Sequence, residues 1–337
     1  MPDLRKWGIG TTEALLILVI AVMVIGLSVS TSTFLTLPNL FDLLNQSAVN
    51  IIFAVGLLVV LIAGGIDISF AVGASVVQYL TALTVMHLGG GNWVIGFIAA
   101  AGFGFLLGAI NATFIYRFRI VSIVVTIATF NIFFGGLMFL TGGVSIYDLP
   151  DWWMNRVSLI QVKTASGVAD LALPVAVMAV MVLATWFLLR RTTTGRQLYA
   201  MGDNPEAARR VGINLGTMHY VAFGWLGMMA GVAGLMQAHY VQEVVPNALY
   251  GRELEVLAAV VLGGARLGGG RGTILGAILG IMLTAITANG LNLLGISPYA
   301  FKMIIGAIIL SAITLSSGGF ARLVESRVAP QRPKVSP

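Results

Sequence analysis

The stretch "LLVVLIAGGIDIS", residues 57–69, decides the fold. It is unbroken apolar chain up to Gly64-Gly65, and an acid, Asp67, follows almost at once. The apolar character continues on both sides. From Leu43 to Tyr116 the chain carries no Lys, Arg or Glu, and its only Asp or His residues are Asp67 and His87. Uncharged apolar runs of about 18 residues or more are membrane-spanning helices. Residues 57–69 are therefore the end of one span and the start of the next, with a glycine break between them. The whole chain agrees: 337 residues, 58% hydrophobic and 9% charged, with mean hydropathy +0.95, exclude an ordinary water-soluble globule. Forty-one glycines fit a bundle in which small residues let helices pack backbone to backbone.

Working outward from the break, spans fall at about 14–30, 48–64, 68–87, 93–116, 120–140, 171–189, 217–241, 254–265, 272–290 and 303–318. The segment at 254–265 is too short to cross a hydrocarbon core of roughly 30 Å. It reads as a half-helix ending at Gly263-Gly264, with "RLGGGRG" as the bend before the next span. Two glycine-interrupted apolar segments in corresponding halves indicate an internal repeat, weak in sequence, and broken helices mark transport sites. Glycines 272, 276 and 280 form a close-packing seam at spacing four. The fold expectation is an all-α, polytopic membrane bundle of about ten spans, with a single transmembrane domain over 1–318 and a basic tail over 319–337. The apolar run after Arg5 and Lys6 is long for a signal peptide, so it is expected to be a retained first span.

Basic residues collect on the cytoplasmic side of membrane proteins. With the spans above, all of the 19 Lys and Arg except Arg156, Lys163, Arg252 and Lys302 fall on one side. That side holds both termini and the loop 190–216, which is expected to face the cytoplasm. The net charge of +6 is thereby an orientation signal, and no nucleic-acid partner is expected. The absence of cysteine excludes disulfides and thiolate chemistry.

Loop 190–216 contains "GRQLYAMGDNPEAARRVGIN", residues 195–214, a charged island in an apolar chain. Asn204 suits a helix N-cap, Pro205 the first helical position, and Glu206 the positive end of the dipole, with Arg209 and Arg210 at the negative end. Glu206 and Arg210 are spaced to pair at i,i+4, and Gly212 provides the stop. Ala207 and Ala208 leave one flank smooth. A two-turn helix is marginal alone. It is either a well-capped surface loop or a handle gripped by a partner.

These residues resemble the cytoplasmic coupling segment of sugar-type ABC importer permeases, the group serving ribose, xylose and arabinose-like solutes. The matching positions are Gly195, Arg196, Tyr199, Ala200, Gly202, Asn204, Ala207, Ala208, Gly212 and Ile213. "AGGIDIS" (63–69), "GAINATFI" (108–115), "IVVTIATF" (123–130) and "LEVLAAVVLGGARLGGGRGTILGAILG" (254–280) are similar to further recurring segments of that family, in order, from about Leu35 to Ser317. Ala112 stands where the family often has glycine. The outer loop 142–170 has no recognisable counterpart, which leaves the solute open. The resemblance implies an importer permease in the bacterial inner membrane, with Arg196, Asp203, Asn204, Glu206, Ala207, Ala208, Arg209 and Arg210 facing an ATPase subunit. It also implies a second permease subunit and a solute-binding protein that delivers the solute from outside. ATP and Mg would belong to the ATPase: no G-x-x-x-x-G-K-[ST] loop occurs, and "GGGRG" at 268–272 lacks the Lys and hydroxyl. No cofactor of its own and no enzyme activity are expected.

A charge at membrane depth is costly and usually functional. Asp67 has three readings: a cap for the span that follows, a lining group of the pathway, or a proton carrier. Asn50, Asn111, Thr126, Asn131 and Gln237 are candidate pathway residues, with Thr129, Asn289 and Asn292 beside them; each also suits interhelical hydrogen bonding. Trp152 and Trp153 suit an interfacial aromatic belt better than a sugar platform. The near-absence of buried charge fits a neutral sugar. Three rivals remain at this point: an ion-coupled secondary transporter, a branched-chain amino acid ABC permease and a non-transporting membrane scaffold.

Overall fold

A computed structural model of the chain describes residues 10–297 and residues 300, 303, 306 and 307. Among the described residues, eight helices are long and apolar enough to cross a membrane. They are α1 (Thr11–Ser30), α2 (Leu37–Ile62), α3 (Phe70–His87), α4 (Trp93–Arg117), α5 (Ser122–Thr141), α7 (Leu173–Arg191), α10 (Leu215–Val241) and α12 (Ile274–Leu293). The expected segment 254–265 is α11 (Arg252–Leu262), whose 11 residues rise about 16 Å and do not span. Apart from residues 303, 306 and 307, the expected span 303–318 lies outside the described residues, as does the tail 319–337. The helices alternate in direction. One end of the bundle carries both glycine breaks, 63–69 and 263–273, together with α8 (Thr193–Asp203) and α9 (Pro205–Arg210). The other end carries α6 (Asp151–Met154) and an antiparallel hairpin, β1 (Ser158–Thr164) with β2 (Gly167–Ala172). That hairpin is the one departure from an all-α chain among the described residues. It is tied to the bundle through Asn45 on α2, which donates to the Asp170 carbonyl at 2.7 Å and accepts from the Ala172 N–H at 2.9 Å.

α2 is the axis of the bundle. In its most apolar window 89% of residues are buried, against 11% for α1. It packs against α10 and α12, and also against α7 and β2. α1, α4, α5 and α7 present apolar side chains outward. On α1 the exposed Leu15, Leu18, Val22, Ile25 and Val29 recur at helical spacing, the pattern of a lipid-facing stripe.

Glycine seams set how closely the helices approach. On α4, Gly104 and Gly108 lie against the Gly227 and Phe223 carbonyls of α10, and Gly231 of α10 lies against the Ala100 carbonyl. Where no side chain intervenes, dispersion contacts between backbones drive association that apolar lipid does not. α11 and α12 close on each other the same way, Gly263 against Gly276 and Gly280 against Ala259. The seam expected at 276 and 280 is thus an intramolecular one. Gly272 stands before α12 and packs on Leu58 of α2.

The two breaks share one geometry. After α2, the Gly65 N–H donates to the Val60 carbonyl and the Gly64 N–H to Leu61; after α11, Ala265 donates to Val260 and Gly264 to Val261. Gly64 and Gly264 have φ of +87° and +93°, the left-handed value this C-cap requires. α2 and α11 run in the same direction into their breaks, and α3 and α12 return.

A Cβ at Gly104 or Gly227 has no room between α4 and α10, whereas Gly102 faces open space. Gly104→Ala is expected to cost about 2 kcal/mol or more through forced separation of the helices. Gly102→Ala is expected to be neutral or mildly stabilising, by up to about 1 kcal/mol of helix propensity. Thermal unfolding of the detergent-solubilised protein separates the two. Equal melting would show the seam to be unimportant.

Candidate functional site: the coupling segment and the breaks it rests on

Thr192 starts α8 by accepting from the Gly195 N–H at 3.1 Å. Leu198, Met201 and Gly202 face inward. Asn204 then breaks the helix and caps α9, its Oδ1 accepting from the Ala207 N–H at 3.0 Å, with Pro205 at the first position as its sequence requires. α9 ends as expected at Gly212, φ +87°. Two details differ from expectation. The segment forms two helices, α8 having been masked by its three weak helix formers Gly195, Gly202 and Asp203. Glu206 pairs with Arg209 (3.3 Å, i,i+3) instead of Arg210. That pair is fully at the surface and is worth little by itself.

The inner side of α8 rests on both breaks at once. A Cβ on Gly202 would collide with the Ile62 carbonyl of the first break and with the Gly270 nitrogen of the second. The breaks are joined to each other there, the Gly270 N–H donating to the Ile62 carbonyl at 2.9 Å. Gly269 packs on Gly202 and Gly64, and Gly270 on Asp203. The Tyr199 hydroxyl donates to the Gly272 carbonyl at 2.9 Å. Burial pushes the Tyr199 phenol above its ordinary range, so it stays a neutral donor. The outer side is bare. Arg196, Asp203, Asn204, Glu206, Ala207, Arg209 and Arg210 are exposed, and Ala208 alone of the expected coupling residues is buried, at 3%. The two alanines therefore do different work: Ala208 anchors α9, and Ala207 belongs to its open flank.

The expected pathway residues separate into three places. Asp67 lies with Asn111 at the first break. Asp67 Oδ1 accepts from the Ser69 N–H (2.6 Å) and hydroxyl (2.7 Å), and its Oδ2 accepts from the Asn111 amide at 3.1 Å. Asn111 also donates to the Ser69 hydroxyl. This cluster staples the start of α3 to α4. Thr126 sits beside it, 3.4 Å from the Ile66 carbonyl, and the Ile66 N–H donates to Ser122. Asn131 stands apart, exposed on α5 and bonded to its own helix at the Ile127 carbonyl.

Asn50 and Gln237 belong to a cavity of about 540 Å³ between α2, α10, α11 and α12. Arg252 lies in it, its guanidinium donating to the Asn50 carbonyl oxygen at 3.3 Å. The chain places Arg252 deep inside because α11 is only half a span, whereas the sequence expectation set it on the outer side. The argument from near-absence of buried charge is also corrected: Glu13 and Glu253 are 6% and 5% exposed. "RELEVLAAVVL" held the signal, since charges that open a half-helix lie at half depth. Trp152 and Trp153 form neither belt nor platform. Trp153 is fully buried, Trp152 donates to the Gly90 carbonyl at 2.7 Å, and both seal the hairpin end beside Trp93 and His239.

Comparison with known proteins fits this architecture. The family described as "Branched-chain amino acid transport system / permease component" matches residues 39–313. The Ribose import permease protein of Escherichia coli (strain K12) is 32% identical over 304 residues, covering 86% of this chain and 89% of that one. The ribose import permease protein of Bacillus subtilis (strain 168) is 32% identical over 294 residues, 87% of this chain and 89% of its own. The Autoinducer 2 import system permease protein of Enterobacter sp. (strain 638) is 31% identical over 301 residues, 89% of this chain and 84% of its own. No solved structure matches. With its span-forming helices, paired glycine breaks and matched sequence over most of its length, the chain belongs to this family of transport-system permease components.

Proposed function

We propose that this chain is the membrane-spanning subunit of an ATP-binding-cassette importer in a bacterial inner membrane, translocating a neutral sugar or similar polyhydroxyl solute. The observation that carries the proposal is the seating of Gly202 on both breaks. A helix with a bare charged outer flank and an inner flank locked to two broken helices is built to pass displacement from outside the bilayer to inside it. The chain supplies no phosphate loop, so the motor is a separate ATPase subunit that grips Arg196, Asp203, Asn204, Glu206, Ala207, Arg209 and Arg210. A second permease subunit completes the channel, and a solute-binding protein delivers the solute to the hairpin end. The bias of basic residues supports a cytoplasmic break end and cytoplasmic termini. The names of the similar permeases, for ribose, galactose and autoinducer 2, support a polyhydroxyl solute.

In transport, closure of the ATPase pair moves α9 and, through Asn204, α8. Gly202 carries Ile62 and Gly270 with it, so the turns after α2 and α11 shift together. Asp67 serves as the cap that keeps the start of α3 rigid during that movement. A proton-coupled mechanism is disfavoured by the same geometry, because Asp67 is 2% exposed and already accepts three hydrogen bonds. The description of the matching family keeps an amino acid solute in view; measuring which solute the partner binding protein retains decides between the two.

Gly202→Ala tests the proposal in the reconstituted complex. Uptake and solute-stimulated ATP hydrolysis are expected to fall about tenfold or more while the ATPase still co-purifies, since a methyl group forces the seat apart. Undiminished coupled transport would overturn it. Replacing Glu206, Arg209 and Arg210 together by Ala is expected to weaken ATPase association by about tenfold or more, read as co-purification at rising salt. Asp67→Asn is expected to keep ATP-driven uptake, because an amide oxygen still accepts from Ser69. Asp67→Ala, which strands the Ser69 and Asn111 donors, is expected to cost about 2 kcal/mol of stability. Loss of uptake in a well-folded Asp67→Asn variant would point instead to proton transfer.

A further inference from the structure

The cavity beside α11 is not explained by coupling. Its floor lies at mid-bundle: Asn50 is about 18 Å along α2 from the break at Ile62, and Arg252 is a full half-helix from the break at Leu262. Its mouth is at the hairpin end, where Gln46 and Asn292 line it. Three polar side chains of the cavity lining, Gln46, Glu255 and Asn292, are exposed yet lie on membrane-embedded elements. Among the described residues neither they nor Gln237 hydrogen-bonds to a protein partner. Polar groups at such depth do not face hydrocarbon; they line water or hold a ligand. The segment 242–251 before α11 is irregular backbone, and chain of that kind occurs at membrane depth only beside such a cavity.

We propose that this cavity is a solute site inside the single subunit, shaped for an uncharged polyhydroxylated solute of monosaccharide size. This deepens the proposed function and rests on it. The chemistry is that of sugar recognition. The amides of Gln46, Gln237 and Asn292 each offer donors and an acceptor, which matches hydroxyls that both give and take a proton. Arg252 adds planar donors and Glu255, one turn along α11, adds an acceptor; their opposite charges leave the lining neutral, so an ionic solute gains nothing there. The volume of about 540 Å³ exceeds that of a monosaccharide and leaves room for bridging water, so the site holds solute weakly and releases it. The Arg252 to Asn50 contact joins α11 to α2 at the floor. Both helices end in the breaks on which α8 rests, so movement of α8 opens or closes the floor.

The chain has no cysteine, which makes site-directed labelling direct. Gln237→Cys and Asn292→Cys variants, with Leu18→Cys on the exposed face of α1 as reference, are reacted with a charged, membrane-impermeant maleimide in the assembled complex. The cavity variants are expected to label readily and the reference slowly. Millimolar D-ribose or D-galactose is expected to slow labelling at Gln237→Cys several-fold, whereas L-lysine and lactate have no effect. Absence of labelling in the cavity variants, or labelling that neither sugar slows in a complex that still transports, overturns the solute site and leaves the proposed importer standing. In the same complex, Gln237→Leu and Arg252→Lys are expected to slow uptake about tenfold while ATP hydrolysis stimulated by loaded binding protein persists. Loss of that stimulation together with uptake would mean a coupling role for these residues and would also count against the site.

Discussion

A helix that ends inside an apolar bundle must still find partners for its last carbonyls, and everything at the break end follows from how this chain does it. Each break folds back on itself through a left-handed glycine, Gly64 or Gly264, which satisfies two carbonyls within the turn. The Ile62 carbonyl remains, and the Gly270 N–H of the other break takes it. That bond makes the two breaks one object. Only a residue without a side chain fits over it, and Gly202 of α8 occupies that place. A backbone-to-backbone contact of this kind has no soft side chain to absorb movement, so displacement on one side appears on the other.

The same logic sorts the helices into closely packed units. α4 and α10 are packed backbone to backbone along Gly104, Gly108, Gly227 and Gly231 beside the axis helix α2. α11 and α12 are bound to each other through Gly263, Gly276 and Gly280 and share the second break. Glu13 on α1 reaches this pair, accepting from the Thr273 hydroxyl that caps α12 at 2.7 Å. α1 is thereby attached to the hinge helix while its other face meets lipid.

Much of this was legible in the sequence because its causes are local. Uncharged length gives spans, paired glycines give breaks, and Asn204-Pro205 with Gly212 gives α9. The half-helix followed from counting residues against bilayer thickness. What escaped depended on tertiary position. α8 carries Gly195 and Gly202, which weaken a helix by intrinsic propensity, and it forms because those glycines allow close seating. Residue type alone cannot tell the stapling cluster of Asp67 and Asn111 from the cavity group of Asn50 and Gln237. Span spacing alone sets Arg252 between the spans 217–241 and 254–265, at the outer side, whereas the half-length of α11 brings it to mid-bundle. Trp152 and Trp153 belong to the seal at the hairpin end, a role that depends on contacts with Trp93 and His239, both remote in sequence.

The central claim is that α9 and the two breaks travel as one body. Paired spin labels at Ala207 and Leu267, both exposed, give the distance from α9 to the second break, and a label at Phe118 on the end of α4 gives the frame. Across nucleotide-free, ATP-bound and post-hydrolysis states of the complex, the Ala207 to Leu267 distance is predicted to stay constant while both shift relative to Phe118. A complex that transports while that first distance changes between states contradicts the account.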